Sequence, residues 1–375
     1  MTGPGQADRP AIVLIVNAGS SSLRLRALGN GDVPVAARDA AAADDWEAAL
    51  SAFLDEAPSP DAAGHRVVHG GEEFTEPVLV DGAVERRLDD LEDLAPLHNP
   101  PALMMIRALR RLRPRLPSVC CFDTAFHGTL PPAAATYALP AAWRERWPLR
   151  RFGFHGLSHA YASRRAGEML GRPTSELRIV TAHLGAGASL AAVAGGRSVD
   201  TTMGFTPLEG LVMATRAGNV DPGLLLWVQR HGDLDPDAVE SALERQSGLL
   251  GLSRRSSDMR GLIAAAADGD ERCAATIEVY LHRLRAGIAA MAAAMNGVDA
   301  LVFTGGVGEG SALVRRAACE GLGFLGLAID VEANESAGGE DADLTAPAAG
   351  TQVLVVQARE DVEIARQVRA AISRS

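Results

Sequence analysis

The 375-residue chain contains no lysine; all 36 of its basic side chains are arginine. That absence excludes Schiff-base chemistry and a lysine clamp on phosphate. Any anion must be met by guanidinium, whose planar fork suits carboxylate and phosphate. Excess positive charge is missing too. The 47 acidic residues leave a net charge of −11, which argues against generic nucleic-acid binding, since that needs a basic face. Cysteine is scarce. Cys120, Cys121, Cys273 and Cys319 have no metal-binding spacing, and an adjacent pair inside an apolar run reads as reduced core residues of a cytoplasmic protein. Long apolar runs are also absent. The largest, residues 286–295, is too short to span a bilayer, and the first ten residues have no signal-peptide apolar core. Neither a nucleic-acid nor a membrane partner is expected.

What is present is a globular composition, 47% hydrophobic and 22% charged, on a chain long enough for two domains. Residues 12–28, IVLIVNAGSSSLRLRAL, run from apolar residues into Asn-Ala-Gly-Ser-Ser-Ser and return with leucine and arginine alternating. The alternation is the period of a strand, so this is a β-hairpin with a hydroxyl-rich tip. An ordinary polar turn and a phosphate-binding tip both fit the stretch alone. The pattern recurs as strand 179–184, turn Gly185-Ala186-Gly187 and strand 189–193, which points to internal duplication. Further expectations are helices over 41–57, 100–113, 158–170, 270–295, 311–320 and 361–372. Strands are expected over 119–122, 197–200, 300–303 and 353–356. A connector is expected at 140–152, a glycine turn at 304–308 and a surface loop over 332–350.

Open α/β sheets bind ligands beyond the carboxyl ends of their strands. Asn17, Ser20 and Ser22, Arg66, Asp123, His183 and Glu360 all fall at such ends, and Arg216 follows a glycine-containing run. Singly, each has a bland reading: a helix cap, a hydrogen-bonded structural histidine, a surface arginine. Together, two arginines, a histidine, two acids and several small-residue turns suit phosphoryl transfer. That chemistry needs positive charge on the moving group, a metal for the polyphosphate and backbone N–H cradles.

The stretches VNAGSSSLR, HRVVHGGE, LAPLHNPP, FDTAFHGTLP, RFGFHGLSHAY, HLGAGASL, SVDTTMGFTPLEGLVMATRAGNVDPG, SGLLGLSRRSSDMR, FTGGVGEGSALVR and EDVEIAR resemble, in order, those of the acetate kinase family. The resemblance implies an α/β fold of the sugar kinase, Hsp70 and actin superfamily. Two duplicated actin-like, ribonuclease H-like domains would surround a nucleotide cleft. One would cover 1–152, completed by the C-terminal helix 361–375, and the other 153–360 with the nucleotide-binding elements. It implies ATP with Mg²⁺, or Mn²⁺ in its place, direct in-line transfer to acetate giving acetyl phosphate and ADP, and a homodimer. Carried over by position, Arg66, Asp123, Arg216, His183 and His155 are catalytic, and His98 matches a further site histidine. Val68, Leu97, Phe154 and Pro207 match the pocket for the acyl methyl group, with Arg66 on its carboxylate. Ser20, Ser22, Arg24, His183, Gly185, Gly187, Gly305, Gly306 and Gly308 match phosphate and nucleotide contacts. Asn17 and Glu360 match metal-positioning residues, with Asp123 beside them.

The chain departs from the family pattern at Arg24 for Lys, Ala186 for Asn, Ala214 for Gly, Asn219 for Asp, Gly310 for Asn and residues 357–359 for Pro-Thr-Asn. Several of these changes cluster around the nucleotide phosphates and the late loop. They leave open a propionate or butyrate kinase, and a weakened nucleotide-binding regulator, beside the acetate reading.

Overall fold

A computed structural model describes residues 11–19 and 22–374. The chain divides into two compact units. The first comprises the described residues up to Gly128, a short insert Gly156–Tyr161, and the chain from Arg359 onward. The second comprises Thr129–His155 and Ala162–Ala358, so the Pro- and Trp-rich connector groups with the second unit.

Each unit is built on one six-stranded sheet. In the first, β1 (Val13–Ala18), β2 (Ser22–Leu28), β3 (Pro34–Ala41), β4 (Ala62–Val67), β5 (Val78–Leu79) and β6 (Ser118–Phe122) lie in the order β3-β2-β1-β4-β6-β5. In the second, β7 (Arg178–Leu184), β8 (Ala188–Ala194), β9 (Arg197–Thr201), β10 (Ala300–Thr304), β11 (Ala342–Asp343) and β12 (Gln352–Val355) lie in the order β11-β12-β10-β7-β8-β9. Read from the other edge this is the same sheet. β1 and β7 each pair antiparallel with the next strand and parallel with β4 or β10, and the first three strands form a meander in both. The duplication read faintly from two hairpins therefore extends to every strand.

β1 is a run of branched apolar residues because both its faces are covered. Leu14, Val16 and Ala18 pack with Trp46, Leu50 and Phe53 of helix Trp46–Glu56 and with Met105 and Leu109 of helix Asn99–Leu112. Val13 and Ile15 on the opposite face meet Val362, Ile364, Ala365 and Val368 of the C-terminal helix Glu360–Ile372. That helix lies tight on β4, where a Cβ on Gly64 would fall 2.4 Å from Ile364 Cγ2. In the second unit, helix Glu271–Ala294 buries Ile277, Tyr280, Leu281, Leu284, Ile288 and Met291, the i, i+3/i+4 stripe of an amphipathic helix. Asp45, Asp81, Asp221, Asp235, Asp270 and Ser311 each accept a backbone N–H at a helix start.

Three expectations are corrected. The helix expected over 41–57 begins only at Trp46, because Ala41 ends β3, residues 42–44 turn the chain and Asp45 caps the helix by accepting from Ala48 N. Strand pairing overrides alanine's helix preference at Ala41, and the turn with its Asp45 cap sets the helix start. The glycine turn after β10 is instead the short helix Gly305–Gly310. The expected loop 332–350 contains the end of helix Val331–Ser336 and the strand β11. Among the described residues no helix is long and apolar enough to cross a membrane.

Candidate active site

In the first unit the parallel strands β1, β4 and β6 end side by side and bring four of the expected residues together. Arg66, next to last on β4, is the hub. Its Nη2 and Nε donate to the two oxygens of Asp123, at 2.6 and 3.1 Å, and its Nη1 donates to Asn17 Oδ1 at 3.2 Å. Glu360, the first residue of the C-terminal helix, places Oε2 3.8 Å from Arg66 Nε. Asp123 is 1% exposed and its backbone N–H continues the sheet by donating to Val67. Burial raises the Asp123 carboxyl above its ordinary range; the charge and hydrogen bonds of Arg66 oppose the rise and Glu360 adds to it. For Arg66 burial acts downward, but Asp123 and Glu360 outweigh it and hold the guanidinium firmly charged.

Arg24 stands on β2 directly across from Asn17. Ser22 opens β2, and its carbonyl accepts the Gly19 N–H at 2.9 Å. Ser20 lies outside the described residues. Val68 is buried, His98 half-buried and Leu97 exposed at 42%.

The second unit assembles a different group. His183, next to last on β7, stacks on His155 with ring centroids 4.3 Å apart. His155 Nδ1 lies 2.9 Å from Ser189 Oγ on β8. His155 has φ +56°, a left-handed conformation costly to a residue with a Cβ, of the kind retained at functional sites. Gly187 lies directly against these groups. A Cβ there would be 3.2 Å from His155 Nε2 and 3.7 Å from Arg216 Nη1. Gly185 sits next to His183 Nε2 and to the backbone N of Gly306 in the same sense, at 3.8 and 4.0 Å.

Arg216 is set by a stitched loop. Its carbonyl accepts from Met213, Met213 accepts from Leu249, and Ala214 donates to Ala186 at the hairpin tip. Gly248, at φ +61°, lets these strands of chain approach, since a Cβ there would fall 2.2 Å from the Met213 carbonyl. Among the described residues Arg216 has no carboxylate within 4.0 Å, and burial pulls its guanidinium below its ordinary value, with only the more distant Glu244 acting against the shift. A half-buried arginine with no carboxylate in contact is a group that an anion would stabilise.

Gly305, at φ +78°, starts its short helix where a side chain would meet the Leu184 carbonyl at 2.9 Å. Gly308 packs on Phe303, while Gly306 faces open space. Phe154 is buried and Pro207 half-buried. Beside the two glycine tips lies a cavity of about 310 Å³, bordered by Gly185, Ala186, Gly306 and Val307 among others. A larger one of about 420 Å³, near Val220, Gly248 and Leu252, contains none of the expected residues. The smaller cavity is the one that reaches the glycine groups, and Gly185 on its border neighbours His183.

Sequence reading missed Ser189, the buried partner of His155, which carries no signal beyond its place in a small-residue strand. It also missed Glu309, whose Oε1 accepts from both Gly305 N and Ala358 N at 2.8 and 3.0 Å. An acid four residues into a glycine-rich helix start was the available signal.

Three comparisons bear on this arrangement. The model of the acetokinase family matches residues 36–366. An acetate kinase of Clavibacter michiganensis is 46% identical, the match covering 96% of this chain and 99% of that one. One from Thermotoga maritima is 49% identical over 82% of this chain and 77% of its own. Among solved structures, an acetate kinase of Porphyromonas gingivalis superposes with TM-score 0.91 at 36% identity, covering 96% of this chain and all of that one. A propionate kinase of Francisella tularensis superposes at 0.89 and 32%, with 96% and 99% covered. With its duplicated sheets and its arginines, histidines and glycine tips at their strand ends, the chain belongs to the acetokinase family.

Proposed function

We propose that the protein is an acetate kinase, which transfers the γ-phosphoryl group of ATP reversibly to acetate, giving acetyl phosphate and ADP. The observation that carries the reading is Arg216: an arginine drawn out of water, without a carboxylate partner among the described residues, beside the His155–His183 stack and the Gly187 tip. An acetate carboxylate is already ionised at neutral pH and needs no general base. The obstacle is the approach of two anions, and fixed cations and N–H donors remove it. A carboxylate oxygen forms a bond to the γ-phosphorus as the bond to the β,γ-bridging oxygen breaks, and the electron pair leaves on ADP. Arg216 and Arg66 neutralise the carboxylate and the moving phosphoryl group, and His183 donates to its oxygens. The tips at Gly185, Gly187, Gly305 and Gly306, with Ser20, Ser22 and Arg24, receive the polyphosphate, and Gly308 supports them. His155, fixed by Ser189, backs His183. Val68, Leu97, Phe154 and Pro207 surround the acyl methyl group.

Asn17, Asp123 and Glu360 form an all-oxygen donor set, the type that suits Mg²⁺, or Mn²⁺ in its place. Both Asp123 oxygens are already engaged by Arg66, which favours a hold through water. Held this way, the ion would share its coordination with water and phosphate. Such an ion supplies positive charge to the polyphosphate when bound. A homodimer in the cytoplasm completes the proposal, the latter supported by four unpaired, buried cysteines.

The test is a hydroxamate trap for acyl phosphate, run with ATP, Mg²⁺ and acetate, propionate or butyrate in parallel. Acetyl hydroxamate is expected, with Arg216→Leu reducing the rate on the order of 10²–10³-fold while ADP binding persists. Faster product from propionate would reassign the acyl group. No product from any acid would remove the kinase reading.

A further inference from the structure

Residues 203–209 of the second unit form neither helix nor strand, so no ladder runs along them and side chains take over their backbone groups. Arg151 Nη1 donates to the carbonyls of Thr202 and Met203, both at 3.1 Å. The Phe205 N–H donates to Tyr137 Oη at 2.9 Å, and the Phe152 and Gly153 N–H groups donate to the Gly204 carbonyl at 3.0 and 3.2 Å. Glu209, at the end of the segment, ties the two side chains to each other. Arg151 Nη2 donates to its Oε1 at 2.6 Å, and Tyr137 Oη donates to its Oε2. The Arg151 guanidinium also lies over the Tyr137 ring, 5.5 Å from its centroid. Burial and the hydrogen bond to Glu209 raise the Tyr137 phenol above its ordinary range, which keeps it a donor. The three groups converge at Gly204, where a Cβ would overlap both Glu209 Oε2 and Tyr137 Oη.

Holding three long polar side chains in one arrangement costs rotamer entropy, and what that arrangement fixes is specific. On one side the clamp takes hold of residues 151–153, which lead into Phe154. On the other it takes hold of 203–209, which contain Pro207. Phe154 and Pro207 are two of the residues assigned above to the acyl pocket. We infer that the Tyr137–Glu209–Arg151 clamp fixes the spacing between these two pocket residues and so sets which acyl chain the enzyme accepts. The inference rests on the kinase reading for the identity of the pocket. Tyr137, Glu209 and Arg151 are positioning residues, acting through Phe154 and Pro207. An acyl chain offers no polar handle, so an apolar pocket tells one chain from the next by its dimensions, and a single methylene is worth about 10–200-fold in discrimination. Charge-assisted hydrogen bonds hold such dimensions more firmly than apolar contact does, because they are directional.

The experiment measures kcat and KM for acetate, propionate and ATP by the hydroxamate trap in the full-length wild type, Glu209→Ala, Glu209→Gln and Tyr137→Phe. In Glu209→Ala the KM for the preferred acid should rise about tenfold, the KM for ATP should stay within about twofold of wild type, and the gap in kcat/KM between the two acids should narrow about three- to tenfold. Tyr137→Phe keeps the ring and removes one tie, so it should shift the same way by less; it decides the question if Glu209→Ala does not fold. Glu209→Gln keeps an acceptor for Arg151 and should retain the wild-type preference. Loss of active protein lowers the rate with both acids equally, so a merely structural role leaves their ratio where it was. An unchanged ratio in Glu209→Ala and Tyr137→Phe would overturn the inference, as would a KM for ATP that rises as far as that for the acid. A wild type that forms no acyl phosphate from either acid would overturn the kinase reading itself, an outcome distinct from active variants with wild-type selectivity.

Discussion

His65 shows how much one side chain can be asked to do without. It sits on β4 between Val16 of β1 and Cys120 of β6, 1% exposed, and neither ring nitrogen has a partner among the described residues. Burial pushes its pKa down to about 3, so it is folded in as a neutral ring. The unfolded chain takes up the proton near the ordinary value of about 6.5. Below that pH the unfolded state binds more protons, so stability falls as pH falls and keeps falling until the folded value is reached. Between pH 7 and pH 5 this single group should remove about 2 kcal/mol. His65→Leu should abolish that part of the pH dependence, read as the difference between urea unfolding free energies of the two proteins at both pH values. Parallel curves for the two proteins would mean that His65 has a hydrogen-bond partner in solution. One residue away, Arg66 faces the opposite side of the same strand and is satisfied by Asp123 and Asn17. The two-residue period of a strand separates a core group from a site group by one step.

At the scale of elements, the site depends on how closely helices sit on strands. The C-terminal helix brings Glu360 to Arg66 only because Gly64 lets it settle on β4. Gly64→Ala would place a methyl 2.4 Å from Ile364 and 2.7 Å from Val368, both fully buried, so the helix must lift. A loss of about 1–3 kcal/mol is expected, measured by thermal or urea unfolding, with reduced activity in the hydroxamate assay because Glu360 moves with the helix. Undiminished stability would show that the contact has slack. The second sheet uses glycine for another purpose. Gly187 and Gly305 admit the close approach of His155, Arg216 and the Leu184 backbone.

At the scale of the molecule, the last segment of the chain completes the first unit. Val362, Ile364 and Val368 are buried against Val13 and Ile15, and three such branched side chains contribute about 5–9 kcal/mol. That is comparable to the whole stability of an ordinary domain. Ending the chain after Ala358 should therefore unfold the first unit while the second keeps its own sheet. Limited proteolysis should then yield a protected fragment from the second unit alone. Protection of both units would show that the first sheet stands without its terminal helix.

Much of this was legible in the residues. Branched apolar runs ending in glycine and polar residues marked β1, β6, β7 and β10 because strand period and strand-end chemistry are local properties. The lysine-free composition left arginine as the side chain with a permanent positive charge, and the motif stretches singled out Arg66, Asp123, His183 and Arg216 as candidates. The alanine-rich β3 was illegible because its only reason to be extended is the hydrogen-bond ladder offered by β2. The helical state of 305–310 was hidden for a related reason: glycine disfavours helix, and Glu309 ties the segment by accepting from Gly305 and Ala358. Ser189 as the partner of His155, the uncompensated charge of Arg216 and the clamp of Glu209 on Tyr137 and Arg151 are facts about neighbours far away in the chain. Sequence by itself determined which chemical groups are available and the period on which they are carried. Only the tertiary structure decided which of them are paired and which are left to bind something else, because desolvation and hydrogen-bond geometry depend on what surrounds a group in space.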